Sequence, residues 1–189
     1  MKKEDLRNIY KQKRKTLSLQ SIEKYNDLIL INFQKLILPS IECVHTYLSS
    51  LKLGEPETAN IIKYLEFKNP LLRVVIPKVD IHSGNMTHYH YNKGVEIIKN
   101  KYGIDEPKDG NQIDEAEIDL VLIPLLAFDT SGYRVGFGKG YYDKFLCRCR
   151  KDVIKVGLSF FEPVEKIEDV TGYDIPLDIC VTPKENFIF

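Results

Sequence analysis

The chain has 189 residues, which is enough for one domain with one hydrophobic core and short for two. Its 27 basic and 27 acidic residues cancel, which argues against nucleic-acid binding, and no stretch approaches the ~20 apolar residues of a membrane span. The charged N-terminus has no apolar segment, and the four cysteines match no zinc spacing. We therefore expect one domain over residues 1–189, a monomer in the reducing cytoplasm with no nucleic-acid or membrane partner.

The hydrophobic pattern predicts helices and strands that alternate along the chain. In chain order these are a helix at 4–16, a helix from Ser18 or Ser21 to about 37, a strand at 43–48, a helix at 57–67, strands at 71–77, 86–91 and 119–125, a helix at 141–150, and strands at 153–158 and 179–181. Apart from Arg73 and Asp119, the strands at 71–77 and 119–125 are apolar runs, as parallel strands covered on both faces are. The order predicts an α/β fold: a single three-layer domain with a mostly parallel sheet flanked by helices. We expect 86–91 to be an edge strand and 92–117 to be irregular.

A glycine-rich segment, residues 128–143 (FDTSGYRVGFGKGYYD), leads from a predicted strand end into a predicted helix. Ligands of open α/β sheets bind beyond the carboxyl ends of the strands. The backbone can approach an anion closely where glycines replace side chains, and helix-start amides favour negative charge. These glycines are Gly136, Gly138 and Gly140. Arg134 and Lys139 add positive charge, and Asp143 can hold a Mg²⁺ that bridges phosphates. The segment is neither a Walker A sequence nor a dinucleotide fingerprint, yet its parts together predict a phosphate site.

Three further features leave alternatives open. Residues 1–15 hold seven basic and two acidic residues, typical of a solvated helix face or of a cationic patch that meets an anion. Asp129 can form a turn, or can orient the loop or Arg134. His88 and His90 share one strand face, which permits a metal pair, but without a nearby third ligand we expect surface residues.

The glycine-rich segment resembles the signature of the 5-formyltetrahydrofolate cyclo-ligase family. Shorter matches follow in order along nearly the whole chain: Lys3 with Arg7, residues 47–49 with 55–58, 76–78, 102–107, and 173–178 with 181–182. Two positions depart from the family pattern: Tyr173 stands where His is frequent, and Pro163 follows Phe-Phe-Glu where Gln is frequent. Phe137 occupies a position that varies between aromatic and basic residues.

The resemblance implies an enzyme that uses ATP and Mg²⁺ to close 5-formyltetrahydrofolate into 5,10-methenyltetrahydrofolate, giving ADP and phosphate through a phosphorylated formyl group. It implies Arg134 and Lys139 as catalytic residues. The implied ATP site comprises Lys3, Arg7, Arg134, Val135, Gly136, Phe137, Gly138, Lys139, Gly140, Tyr141 and Tyr142. The implied folate site comprises Leu48, Glu55, Phe137 and Tyr141, and the implied metal ligands are Asp143 and Asp174. For Tyr142, packing in the core is an equal alternative to a ligand contact.

Three other functions compete with this hypothesis. A non-catalytic folate- or nucleotide-binding protein on the same scaffold would bind without turnover, although the complete set of Arg134, Lys139 and Asp143 argues against a decayed site. A sugar-phosphate isomerase of a related fold would need a carboxylate base and no ATP. An RNA-binding module built on residues 2–15 would need interleaved aromatic residues, which the segment lacks.

Overall fold

The computed structural model describes all residues from 1 to 189, and a mixed sheet runs through its middle. The α-helices are α1 (Lys3–Lys15), α2 (Leu19–Gln34), α3 (Ala59–Lys68) and α4 (Tyr141–Leu146). The strands are β1 (Cys43–His45), β2 (Arg73–Asp80), β3 (Asn85–His90), β4 (Ile97–Lys99), β5 (Asp105–Pro107), β6 (Leu120–Pro124), β7 (Ala127–Phe128), β8 (Arg134–Val135), β9 (Ile154–Leu158), β10 (Ile179–Val181) and β11 (Asn186–Ile188). Short 3₁₀ turns occupy Leu51–Leu53 and Glu115–Glu117.

The main sheet has seven strands in the order β11-β10-β9-β6-β1-β2-β3. The five central strands are parallel, whereas β3 and β11 pair antiparallel at the two edges. The carboxyl ends of β1, β2 and β6 therefore meet at one edge, where a ligand cleft of an α/β sheet is expected. Two small hairpins, β4-β5 and β7-β8, lie outside this sheet.

Both faces of the sheet are buried, which explains the apolar runs of its strands. In β6, Leu120 and Leu122 pack on the face covered by α2 and α3, and the alternate residues Val121 and Ile123 pack on the face covered by α4. A third cluster joins α1 to the β7-β8 hairpin. The predicted three-layer α/β architecture is confirmed. None of the helices combines the length and the apolar composition needed to cross a bilayer.

Several predicted boundaries are wrong for identifiable reasons. β1 ends at His45 because the next residues leave the sheet, where the Tyr47 carbonyl accepts the Thr58 hydroxyl. α4 ends at Leu146 because the chain turns back, and Arg150 pairs with Asp119 beside the start of β9. The segment 92–117, predicted to be irregular, contains the β4-β5 hairpin, and β11 was not predicted at all.

The histidines of β3 differ from the prediction in one respect. His88 is buried rather than at the surface because α4 covers this face of β3: its ring lies 4.2 Å from the Phe145 ring and 5.1 Å from the His45 ring. His90 is partly exposed. His45 is fully buried as well.

Candidate active site

A cavity of about 680 Å³ opens at the carboxyl ends of β1, β2 and β6. Its walls come from α1, the segment after β1, the β4-β5 hairpin, and the glycine-rich segment that leads into α4. It brings together nearly all of the residues that the sequence predicts for the site: Lys3, Arg7, Leu48, Glu55, Arg134, Gly136, Phe137, Gly138, Lys139, Gly140, Tyr141, Tyr142, Asp143 and Asp174. Residues more than 170 positions apart thus share one surface.

Val135 is the exception among the predicted residues. Its side chain is 1% exposed and packs with Leu6 and Tyr10 of α1, so it does not line the cavity. The strand alternation of β8 accounts for this, because Arg134 and Val135 must point to opposite sides. Val135 therefore anchors the hairpin under α1.

The glycine-rich segment makes a tight backbone wall at one end of the cavity. Gly138 and Gly140 have φ of 92° and 68°, left-handed values that favour glycine. A Cβ on Gly138 would come within 3.1 Å of the Arg7 guanidinium carbon. Arg7 also donates from Nε to the Gly136 carbonyl at 3.0 Å. The glycines therefore allow the guanidinium group of α1 to lie directly against the loop.

Arg134 is held in place by two acceptors within the chain. Its guanidinium donates to Asp143 Oδ1 at 2.8 Å and to the Ile175 carbonyl, and its side chain is 5% exposed. Burial lowers the pKa of Arg134, and the Asp143 carboxylate opposes that effect. The Ile175 amide also donates to Asp143 Oδ1 at 3.1 Å. Arg134 thus fixes the position of Asp143 and joins the hairpin to the C-terminal segment.

Asp174 places a negatively charged carboxylate at the same end of the cavity. Lys3 Nζ lies 2.6 Å from each oxygen of this carboxylate, and the Thr171 amide donates to Oδ2. Burial acts to raise the pKa of Asp174, but the hydrogen bonds from Lys3 and Thr171 bring it below its usual value. Lys139, in contrast, is exposed and forms no ion pair with the chain, so its ammonium group is available to a ligand.

Leu48 and Glu55 mark the other end of the cavity. Glu55 accepts the Ser50 amide at Oε2 at 3.0 Å, and the Tyr47 hydroxyl donates to the Pro56 carbonyl at 2.9 Å. Burial raises the pKa of Glu55, against the Ser50 hydrogen bond and the positive charge of Arg14. An apolar wall beside a half-buried carboxylate suits a flat, hydrogen-bond-donating ring.

The structure settles the open alternative for Asp129, whereas a ligand contact of Tyr142 stays a prediction. Tyr142 both packs and lines the cavity: its ring lies 6.0 Å from the His45 ring, and its buried hydroxyl has no partner in the chain. Asp129 forms a turn, because it accepts the Ser131 and Tyr133 amides at Oδ1 and the Ile167 amide at Oδ2. It does not contact Arg134.

Sequence reasoning gave no role to the tip of the β4-β5 hairpin, which lines the cavity, or to Arg14, which lies behind it. The tip of the β4-β5 hairpin contributes Tyr102, Gly103 and Ile104, which belong to the 102–107 segment that matches the family pattern. Arg14 is 4% exposed and was counted only among the basic residues of α1. The signal for Arg14 was its position four residues after the buried Tyr10, on the same face of the helix.

Comparison with known proteins agrees with this geometry. The family model described as "5-formyltetrahydrofolate cyclo-ligase family" matches residues 1–183. A protein of Mycoplasma pneumoniae named 5-formyltetrahydrofolate cyclo-ligase is 33% identical over 188 residues, which cover 96% of this chain and 98% of the relative. A shorter match to the protein of that name from Mycoplasma genitalium is 40% identical over 74 residues, 39% of this chain and 45% of the relative.

Solved structures share the fold. The NMR structure of Aquifex aeolicus 5,10-methenyltetrahydrofolate synthetase superimposes with a TM-score of 0.81 and 27% identity, over 100% of this chain and 93% of that chain. A structure of the 5,10-methenyltetrahydrofolate synthetase from Mycoplasma pneumoniae gives a TM-score of 0.77 at 24% identity, over 97% and 99% of the two chains, which supports the fold alone. The family model and the near full-length relative from Mycoplasma pneumoniae together show that the chain belongs to the 5-formyltetrahydrofolate cyclo-ligase family.

Proposed function

We propose that this enzyme catalyses the ATP- and Mg²⁺-dependent closure of 5-formyltetrahydrofolate to 5,10-methenyltetrahydrofolate, with ADP and phosphate as the other products. The observation that carries the proposal is a single cavity of about 680 Å³ whose two ends differ in character. The glycine-rich, cationic end suits a triphosphate. The end with Leu48 and Glu55 suits the pterin and its N–H donors. One cleft therefore offers a suitable environment to each substrate, which supports the proposal that both bind there.

The chemistry follows from the weakness of the formyl group as an electrophile, since it is part of an amide. In the first step the formyl oxygen attacks the γ-phosphorus of ATP, and the bond from that phosphorus to ADP breaks. N10 of the same folate then attacks the formyl carbon and loses its proton, and the carbon–oxygen bond breaks as phosphate leaves. Because the nucleophile and the electrophile belong to one molecule, the protein contributes mainly orientation and charge stabilisation.

Lys139 and Arg7 are the groups best placed to stabilise the transferred phosphoryl charge. Lys139 has no partner in the chain, and Arg7 uses only Nε, on the Gly136 carbonyl. Arg134 contributes differently, because each of its terminal nitrogens already donates within the chain, Nη1 to the Ile175 carbonyl and Nη2 to Asp143. We propose that Arg134 acts mainly by holding Asp143 and the loop in place.

Asp143 fits a Mg²⁺ site, whereas Asp174 fits one less well. Asp143 Oδ2 takes part in no hydrogen bond or ion pair, and the residue lines the cavity. Mg²⁺ commonly takes one or two protein carboxylates together with substrate phosphates and water, so one free oxygen is a sufficient contribution. When bound, the ion would neutralise charge on the phosphates. Both oxygens of Asp174 accept from Lys3, which would have to release them first.

The test is a near-ultraviolet absorbance assay for methenyltetrahydrofolate, started by mixing the protein with (6S)-5-formyltetrahydrofolate and MgATP. We expect an ATP-dependent rise that needs Mg²⁺, and a loss of about 10²–10³ in rate for Lys139→Ala. Lys151→Ala, which removes an exposed lysine outside the cavity, is the matched control and should retain full activity. Normal kcat/KM in Lys139→Ala would remove that residue from the mechanism.

The same assay separates the remaining alternatives. Folate binding by calorimetry without turnover would favour a non-catalytic binding protein on this scaffold. Turnover without ATP would contradict the proposed chemistry altogether. We further propose that residues 1–189 form one domain and that the enzyme acts as a monomer.

A further inference from the structure

Arg14 is the most buried charged side chain of α1, with 4% exposure. Its Nη1 donates to the Leu53 carbonyl at 3.3 Å, its Nη2 donates to the Leu125 carbonyl, and its Nε has no partner. Burying a guanidinium group costs free energy unless its donors are satisfied, so such a residue is rarely present for packing alone. The two carbonyl acceptors lie in different parts of the chain, one in the loop after β1 and one just after β6.

The loop that Arg14 contacts is the segment 50–55, which presents Glu55 to the cavity. Ser50 and Glu55 close this loop reciprocally: the Ser50 amide donates to Glu55 Oε2 at 3.0 Å, and the Glu55 amide donates to the Ser50 carbonyl at 3.2 Å. Gly54, between the two contacts, has φ of 59°. A Cβ at Gly54 would stand 3.3 Å from the Arg14 Cβ, so the loop lies directly on this side chain.

The other acceptor, the Leu125 carbonyl, lies at the base of the β7-β8 hairpin. The next residue, Leu126, donates its amide to the Val135 carbonyl at 2.7 Å, which ties this position to the glycine-rich segment. Farther back on α1, Arg7 holds the tip of the same segment. Arg7 and Arg14 lie two turns apart on one side of the helix, separated by about 10 Å along its axis. One helix thus contacts both ends of the cavity.

We propose that Arg14 is a positioning residue for the folate substrate, which fixes the 50–55 loop against the carboxyl end of β6 so that Glu55 faces the pterin. This inference rests on the proposed function, because it assigns Glu55 to that substrate. Arg14 does not line the cavity and contacts neither substrate itself. Its effect on catalysis passes through Glu55 and through the backbone of the loop.

Arg14 also supplies a positive charge that acts on the pKa of Glu55. The groups that face Glu55 are Arg14 from α1, Tyr47 after β1 and Tyr142 from α4. Burial raises the pKa of both phenols above the ordinary value of tyrosine, so both stay neutral near pH 7. Burial also raises the pKa of Glu55, and Arg14 opposes that shift. Without Arg14, the carboxylate would take up a proton at a higher pH.

The first test compares Arg14→Met with Lys15→Met, which removes the exposed neighbouring lysine, in the full-length enzyme. Loss of charge-assisted hydrogen bonds to the loop predicts that Arg14→Met raises KM for 5-formyltetrahydrofolate about 10- to 100-fold. We expect KM for ATP to change by less than about threefold, because Arg7 still holds the glycine-rich segment. Lys15→Met should match the unmodified enzyme. Equal changes in the two KM values, or no change, would overturn the proposal.

The second test is the pH profile of kcat/KM for the folate, measured also in Arg14→Lys. The acid limb should move to higher pH in Arg14→Met and by less in Arg14→Lys, which keeps the charge but loses the two-acceptor geometry. A residue that only supports the fold would lower activity without moving this limb, and an unmoved limb in both variants refutes the proposal. If Arg14→Met does not fold, the Arg14→Lys profile decides. An unmodified enzyme without activity would instead refute the proposed function.

Discussion

The pair formed by Arg134 and Asp143 permits a quantitative test by double-mutant cycle. Arg134 is 5% exposed and Asp143 is 27% exposed at the side chain, and Nη2 and Oδ1 are 2.8 Å apart. Removing one partner of a buried pair costs about 3–5 kcal/mol, and the partial exposure of Asp143 places this pair at the lower end. We expect Arg134→Met and Asp143→Asn each to lower the free energy of unfolding by about 3 kcal/mol. Together they should lower it by about 4 kcal/mol, a coupling of about 2 kcal/mol.

Urea unfolding of the four proteins at pH 7 measures this coupling. Arg134→Lys should not restore stability or kcat/KM, because one ammonium group cannot reproduce a planar fork that reaches Asp143 and the Ile175 carbonyl together. Additive effects within about 0.5 kcal/mol would refute the reasoning. They would mean that Arg134 does not hold Asp143, and that its direct action on phosphate must be reconsidered.

Two further predictions concern the loop and the buried histidine. Gly138→Ala should raise KM for ATP about tenfold or more, because a φ of 92° strains any residue with a Cβ and that Cβ would lie 3.1 Å from the Arg7 guanidinium carbon, so that Arg7 or the loop must shift. Gly172→Ala, with open space around it, should match the unmodified enzyme in the same assay. His88 makes stability depend on pH, because burial lowers its folded pKa from 6.5 to about 4, against the opposing charge of Glu115. The unfolded chain takes up the proton first as pH falls below 6.5, so stability is lost in that direction. Urea unfolding should show about 2 kcal/mol of this loss between pH 7 and pH 5, and a slope that His88→Gln leaves unchanged would contradict it.

The sheet was predictable because each buried strand is a short apolar stretch that can be recognised without knowing its neighbours in space. Within the predicted strands, residues 74–77 and 120–125 are all apolar, and the structure buries the strand residues Val74, Val75 and Leu120–Ile123 on the two faces of the sheet. The glycine-rich segment was predictable for a different reason: glycines, basic residues and an acid occur together, and no tertiary information is needed to read them as a phosphate site. Its position beyond the strand ends then followed from the topology.

What the sequence did not reveal depends on contacts between distant segments. The pair of Arg134 and Asp143 is held by the backbone of Ile175, 41 residues after Arg134, because its carbonyl accepts from Arg134 and its amide donates to Asp143 Oδ1. The burial of His88 requires α4 to cover β3. In the β4-β5 hairpin, charged residues such as Lys99 and Asp105 pair across the two strands. Their charges interrupt the alternation of apolar and polar residues by which a strand is recognised in sequence. Arg14 cannot be told from the exposed basic residues of α1 by sequence, because its burial depends on the 50–55 loop that packs on it.

The central claim is that ATP transfers its γ-phosphoryl group to the formyl oxygen of the folate in this cavity. We would follow ¹⁸O from a labelled formyl oxygen during turnover with MgATP, and analyse the released phosphate by mass spectrometry. The account predicts one ¹⁸O atom in each phosphate released, in step with methenyltetrahydrofolate formation. Unlabelled phosphate, with the ¹⁸O lost to water, would mean that the ring closes without a phosphorylated formyl group and would contradict the account.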